Sequence, residues 1–128
     1  MCNPRTAPRD APSDTGPYSP ALVVGNFVFV SGQGPLDPRT HEIRGEGIEE
    51  QTRLTFANVE ALLRAAGSSL RDVVKVNVYL SDMDNYQSFN SIYGSLFEKP
   101  YPVRTTVACG LQSILIEVDC IAVASRAA

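Results

Sequence analysis

Val73–Leu80 alternates along its length: Val74, Val76, Val78 and Leu80 are apolar, and Lys75, Asn77 and Tyr79 stand between them. Strand side chains point alternately to two faces, so this segment is a strand with one face committed to a core. It lies between two segments of a different period. Over residues 48–66, Ile48, Thr52, Thr55/Phe56, Val59, Leu62/Leu63 and Ala66 recur at helical spacing. Glu46, Glu49 and Glu50 sit near the start of that segment, where the helix dipole favours them, and Gly67 supplies a stop. Over residues 83–97, Met83, Tyr86, Phe89/Asn90, Tyr93 and Leu96/Phe97 share one side, and Pro100 and Pro102 end the run. Upstream, residues 21–24 and 27–31 flank Gly25-Asn26 as a hairpin; downstream, residues 103–109 and 114–124 are two more strands. The order ββ-α-β-α-ββ predicts an α+β domain with two helices on one face of a mixed sheet.

One such domain uses most of the 128 residues. Residues 1–15, with Pro4, Pro8 and Pro12, read as a flexible proline-rich head with room for one edge strand; residues 16–128 are the folded domain. With 11 Lys+Arg against 14 Asp+Glu, the net charge of −3 argues against a nucleic-acid partner. No apolar run approaches the ~20 residues of a membrane span, and the first residues lack the apolar centre of a secretion signal. No membrane association is expected, and the cytoplasm is the expected location. Cys2, Cys109 and Cys120 form no metal-binding spacing or disulfide framework, and His41 is alone, so neither a metal site nor a cofactor is expected. Gly32-x-Gly34 is no dinucleotide fingerprint, because Asp37 takes the third glycine position and no helix follows.

The chemistry concentrates in the last two strands. Read as a hairpin turning at Gly110-Leu111, they set Arg104 opposite Glu117; a four-residue loop would set Arg104 opposite Asp119. Either register puts Arg104, Thr106, Glu117 and Asp119 on one face, away from the helices, beside Leu115, Ile121 and Val123. Val103, Thr105 and Val107 then face the helices. An apolar patch on that uncovered face calls for a covering surface, most simply another copy of the chain. The charged pair reads either as a cross-strand salt bridge or as a sheltered fork suited to a carboxylate ligand.

The run Pro102-Val103-Arg104-Thr105-Thr106-Val107, followed by Ile116-Glu117-Val118-Asp119 and Ile121-Ala122, resembles the C-terminal signature of the Rid family of reactive-intermediate deaminases, also called YjgF/YER057c/UK114. Gly16-Pro17-Tyr18-Ser19-Pro20-Ala21, residues 30–38, Asn58-Val59 with Ala65-Ala66-Gly67, and Val74-Lys75-Val76 with Tyr79-Leu80-Ser81-Asp82 extend the resemblance over residues 16–124. It implies a homotrimer of chorismate-mutase-like subunits with a site at each interface. It also implies hydrolysis of 2-imino acids or their enamine tautomers, such as 2-iminopropanoate or 2-iminobutanoate, to 2-oxo acids and ammonia. By the same resemblance Arg104 holds the substrate carboxylate and Glu117 handles the attacking water, with Asp119 as the rival carboxylate. The resemblance further implies that Tyr18, Ser31, Gly32, Asn90 and Thr106 line the pocket. Thr106 stands where well-known members carry cysteine, Asp119 replaces a usual glutamate, and the loop at 110–113 is short. The alternatives are a specialised enzyme acting on a pathway-specific imine or enamine, a non-catalytic metabolite-binding trimer, and an endoribonuclease. The last finds little support in a chain with this charge and one loop histidine.

Overall fold

The computed structural model describes residues 5–8 and 16–124. Its elements run β1 (Arg5–Thr6), β2 (Ala21–Val24), β3 (Phe27–Gln33), α1 (Ile48–Ala65), β4 (Val73–Leu80), α2 (Tyr86–Leu96), β5 (Val103–Ala108) and β6 (Ile116–Val123), with 3₁₀ turns at Leu70–Asp72 and Met83–Asn85. The strands form one six-stranded mixed sheet in the order β1-β2-β3-β6-β4-β5. The head thus supplies an edge strand, with Arg5 opposite Val24. The flexibility expected of the head falls mainly on residues 1–4 and 9–15, which lie outside the described residues.

The helices form where the apolar period puts them. Phe56, Val59, Leu62 and Leu63 of α1 are buried, as are Phe89, Ile92 and Tyr93 of α2. They cover Val28, Val30, Val76, Val78, Leu80, Ile116, Val118 and Cys120 on one face of the sheet. α1 closes with paired backbone bonds, Ser68 N–H to Leu63 O at 2.8 Å and Gly67 N–H to Arg64 O at 3.1 Å. Gly67 takes the left-handed φ of 80° that this closure requires. The second helical segment starts as a 3₁₀ turn because Asp82 caps it, its carboxylate accepting from Asp84 N–H at 2.8 Å. Among the described residues no helix is long and apolar enough to cross a membrane.

Two sequence expectations are corrected here. β5 and β6 are not a hairpin: β4 lies between them, antiparallel to β6 and parallel to β5. The α2 crossover supplies the long connection that a parallel β4/β5 pair needs, and this outcompetes pairing of the two neighbouring strands. In β4, a bulge between Val73 and Lys75 turns Val74 outward, 42% exposed, and Val73 takes the inward place at 7%.

Candidate active site

The parallel register sets Val76 beside Arg104 and Val78 beside Thr106. Val76 and Val78 are fully buried beneath the helices, so Arg104 and Thr106 share the helix side of edge strand β5. The antiparallel register sets Tyr79 opposite Glu117 and Asn77 opposite Asp119. These four alternate with the buried positions and therefore occupy the open face. The expected side-by-side placement of Arg104 and Glu117 is thus corrected: within one chain they stand on opposite faces. Val103, Thr105 and Val107, expected under the helices, belong to the open face, and Leu115 packs against the core instead.

On the helix side, Arg104 is seated on aromatics. Its guanidinium carbon lies 4.6 Å from the Tyr93 ring centre, 5.2 Å from Phe89 and 5.7 Å from Tyr86. Such contacts contribute about 0.5–2 kcal/mol each, the more so where water is excluded. Nη2 donates to Tyr86 Oη at 2.9 Å. Among the described residues no carboxylate pairs with Arg104. The arginine opens into a cavity of about 410 Å³ that Asn90, Tyr93, Gly94, Tyr101 and Pro102 also line. Burial pushes the Tyr93 phenol up to about 12, which keeps it neutral. The buried hydroxyls of Tyr93 and Thr106 have no hydrogen-bond partner among the described residues. The spacing of Tyr86, Phe89 and Tyr93 reads in the sequence as a core stripe. Only the parallel placement of β5 reveals it as the bed of an arginine.

The second cluster is built around a bulge in β3. Pairing with β6 shifts register between Val30 and Gln33, which brings Gly32 against Glu117. A Cβ on Gly32 would stand 2.9 Å from Glu117 Cδ and 3.3 Å from its Cγ, so glycine is what lets the carboxylate lie on this backbone. The Ser31 hydroxyl donates to Ser19 O at 2.6 Å and its N–H to Pro20 O at 2.8 Å, which pins the segment carrying Tyr18. Tyr18 and Gly32 then share the wall of a smaller cavity, about 120 Å³, with His41 and Asn58.

The two candidate water-handling carboxylates differ in what they hold. Asp119 accepts from Asn77 Nδ2 at 2.9 Å and from Tyr79 Oη at 2.8 Å, and the latter bond raises the Tyr79 phenol to about 12. Glu117 has no hydrogen-bond or ion-pair partner among the described residues, so its oxygens are available. Burial first, and the Asp119 charge second, push its carboxyl above the usual carboxylate range. Gly32 and Glu117 are therefore in contact, Tyr18 shares a cavity wall with Gly32, and Arg104, Asn90 and Tyr93 line a separate cavity, with Thr106 on the same strand face as Arg104.

The open face also carries exposed apolar side chains. Phe27, Phe29, Val103, Val107 and Val123 are all more than a third exposed there, and Val103 reaches 64%.

The family model described as endoribonuclease L-PSP matches residues 8–124. A RutC family protein of Pyrococcus horikoshii is 44% identical over 115 residues, spanning 88% of this chain and 91% of the relative. RidA from an Antarctic Psychrobacter superposes with a TM-score of 0.83 at 37% identity, over 95% of this chain and 99% of that one. TdcF of E. coli, solved with bound serine, superposes with a TM-score of 0.80 at 34% identity, over 90% and 94%.

Proposed function

The chain belongs to the Rid (YjgF, L-PSP) family, and from that premise we propose that it hydrolyses 2-imino acids or their enamine tautomers to 2-oxo acids and ammonia. The observation that carries this reading is the Arg104 guanidinium, bedded on three rings, without a carboxylate partner among the described residues, and facing an open cavity. A fork of that kind is built to receive a carboxylate in two-point contact.

The catalytic partner then comes from a second copy. Glu117 stands on the opposite face of its own sheet, and the exposed apolar residues of that face favour a homotrimer in which each site joins the Arg104 half of one subunit to the Glu117 half of its neighbour. In that site Arg104 holds the substrate carboxylate, and Asn90 and Thr106 line the same wall. Glu117, ionised, orients a water and accepts its proton as the oxygen attacks the imine carbon, then returns that proton to the nitrogen. The resulting carbinolamine passes its hydroxyl proton to the amino group by way of the same carboxylate, and the C–N bond breaks to release ammonia and the 2-oxo acid. A carboxyl raised above its ordinary range is a better base near neutral pH than an unperturbed one. Asp119, held by two hydrogen bonds, suits the supporting role. Tyr18 closes over the substrate from the Glu117 side.

A metabolite-binding trimer would use Arg104 in the same way but would have no use for a carboxylate that lies on the Gly32 backbone with no ion-pair partner among the described residues. The test is ammonia release from 2-iminobutanoate generated in situ by a dehydratase. Release accelerated by the wild-type chain and abolished in Arg104→Ala is the expected result. Equal rates with and without the protein, alongside retained 2-oxo acid binding, would favour the binding trimer instead.

A further inference from the structure

Arg104 carries one contact that the reaction above leaves unused, the bond from Nη2 to Tyr86 Oη. Tyr86 is the first residue of α2, and its place is set without reference to any ligand. The Asp82 cap fixes the turn before it, with Asn85 N–H bonded to Asp82 O at 3.1 Å. The Tyr86 ring packs against Phe89 with centres 6.5 Å apart.

The aromatic bed alone would leave the guanidinium poorly oriented. Attraction between a cation and a ring face has little preference for how the cation is turned about the ring normal, so a planar fork can roll on it. Carboxylate recognition needs the reverse: two N–H groups held parallel in one plane. A hydrogen bond is directional and falls off steeply away from linearity, so the single bond to Tyr86 Oη is the element that stops the roll. The phenol oxygen accepts this bond, which leaves its own O–H available as a further donor beside the fork.

We propose that Tyr86 is a positioning residue. Its hydroxyl locks the Arg104 fork in the orientation that receives a carboxylate, and thereby sets affinity for small 2-oxo and 2-imino acids. This rests on the reading of Arg104 as the carboxylate holder. Tyr86→Phe tests it, because that variant keeps the ring, its contact with Phe89 and the helix start, and removes one oxygen.

The probe is 2-oxobutanoate, titrated calorimetrically into wild type, Tyr86→Phe and Arg104→Ala. Tyr86→Phe should weaken binding by about tenfold, the value of one hydrogen bond to a charged group. KM for the matching imine should rise in parallel, with kcat changing several-fold less. Arginine side-chain NMR reads the lock directly: the Arg104 Nη signals, separate in the wild type, should merge in Tyr86→Phe as the guanidinium begins to rotate. Unchanged affinity, or Nη signals that stay separate, would overturn the proposal, as would a fall in kcat and thermal stability with KM unmoved. If wild type and Arg104→Ala bind the oxo acid equally poorly, the carboxylate-holding role itself fails, and Tyr86 falls with it for that separate reason.

Discussion

Gly32→Ala gives a sharp perturbation of the proposed base without touching it. The new Cβ would stand 2.9 Å from Glu117 Cδ. Carbon atoms pack at about 3.5–4.0 Å, so the carboxyl group has to retreat by about 0.6–1.1 Å. Gly32 does not use the left-handed φ region, so alanine accepts this backbone without strain. What moves is the far end of a flexible side chain, at about 0.5–1.5 kcal/mol for an off-rotamer shift, partly offset by the stiffer unfolded chain of alanine. Stability should therefore change by no more than about 1 kcal/mol. Activity should respond far more strongly, since a misplacement of about 1 Å in a reacting group costs on the order of 10²-fold. Steady-state imine hydrolysis and thermal unfolding read the two effects apart. Gly110→Ala, where an added Cβ meets nothing within 4 Å, serves as the control. Wild-type turnover in Gly32→Ala would refute the idea that Glu117 works from its place on this backbone.

Arg104→Lys should retain a cation over the rings yet lose at least about 10²-fold in kcat/KM, because an ammonium cannot reproduce the planar two-point grip; stopped-assay kinetics across substrate concentration check this. Activity of the wild type should rise with pH through the raised Glu117 pKa, so its acid limb should lie above the ordinary carboxylate range. Asp119→Asn removes the second of the two causes of that shift and should move the limb to lower pH, but not fully back, because burial remains. The same raised pKa has a stability consequence. The contribution of Glu117 is present below its unfolded pKa and lost as pH climbs through the folded one, so Glu117→Gln should unfold at a higher temperature than wild type at neutral pH.

Much of this was legible in the chain. The strict alternation of Val76, Val78 and Leu80 and the helical stripe through Phe56, Val59 and Leu63 are local patterns, and local patterns report which face is buried. Strand order is not local. β5 follows α2 and precedes β6, and nothing in residues 103–124 says that β4 will come between them. The assumption of a hairpin carried Arg104 to the wrong face, and with it the idea of a site contained in one surface. The open face keeps an exposed apolar patch even so, with different members: Val103 and Val107 join Val123 there, and Leu115 packs against the core. The arginine bed was hidden for a related reason: Tyr86, Phe89 and Tyr93 have the spacing of ordinary core residues, and only tertiary placement distinguishes a bed for a cation from a packing stripe. The sequence equally does not separate Glu117 from Asp119, because what distinguishes them is the pair of bonds that Asp119 receives from Asn77 and Tyr79, two residues of a different strand.

The central claim is that each site draws Arg104 from one subunit and Glu117 from another, and subunit mixing tests it most directly. Arg104→Ala and Glu117→Gln are each expected to be inactive alone. Unfolded together in equal amounts and refolded, they assemble at random, and about one quarter of the interface sites should then combine an intact Arg104 with an intact Glu117. Imine hydrolysis should return to about a quarter of the wild-type rate per site. A mixture as inactive as its two components, in trimers verified by mass to contain both variants, would contradict a site shared between subunits.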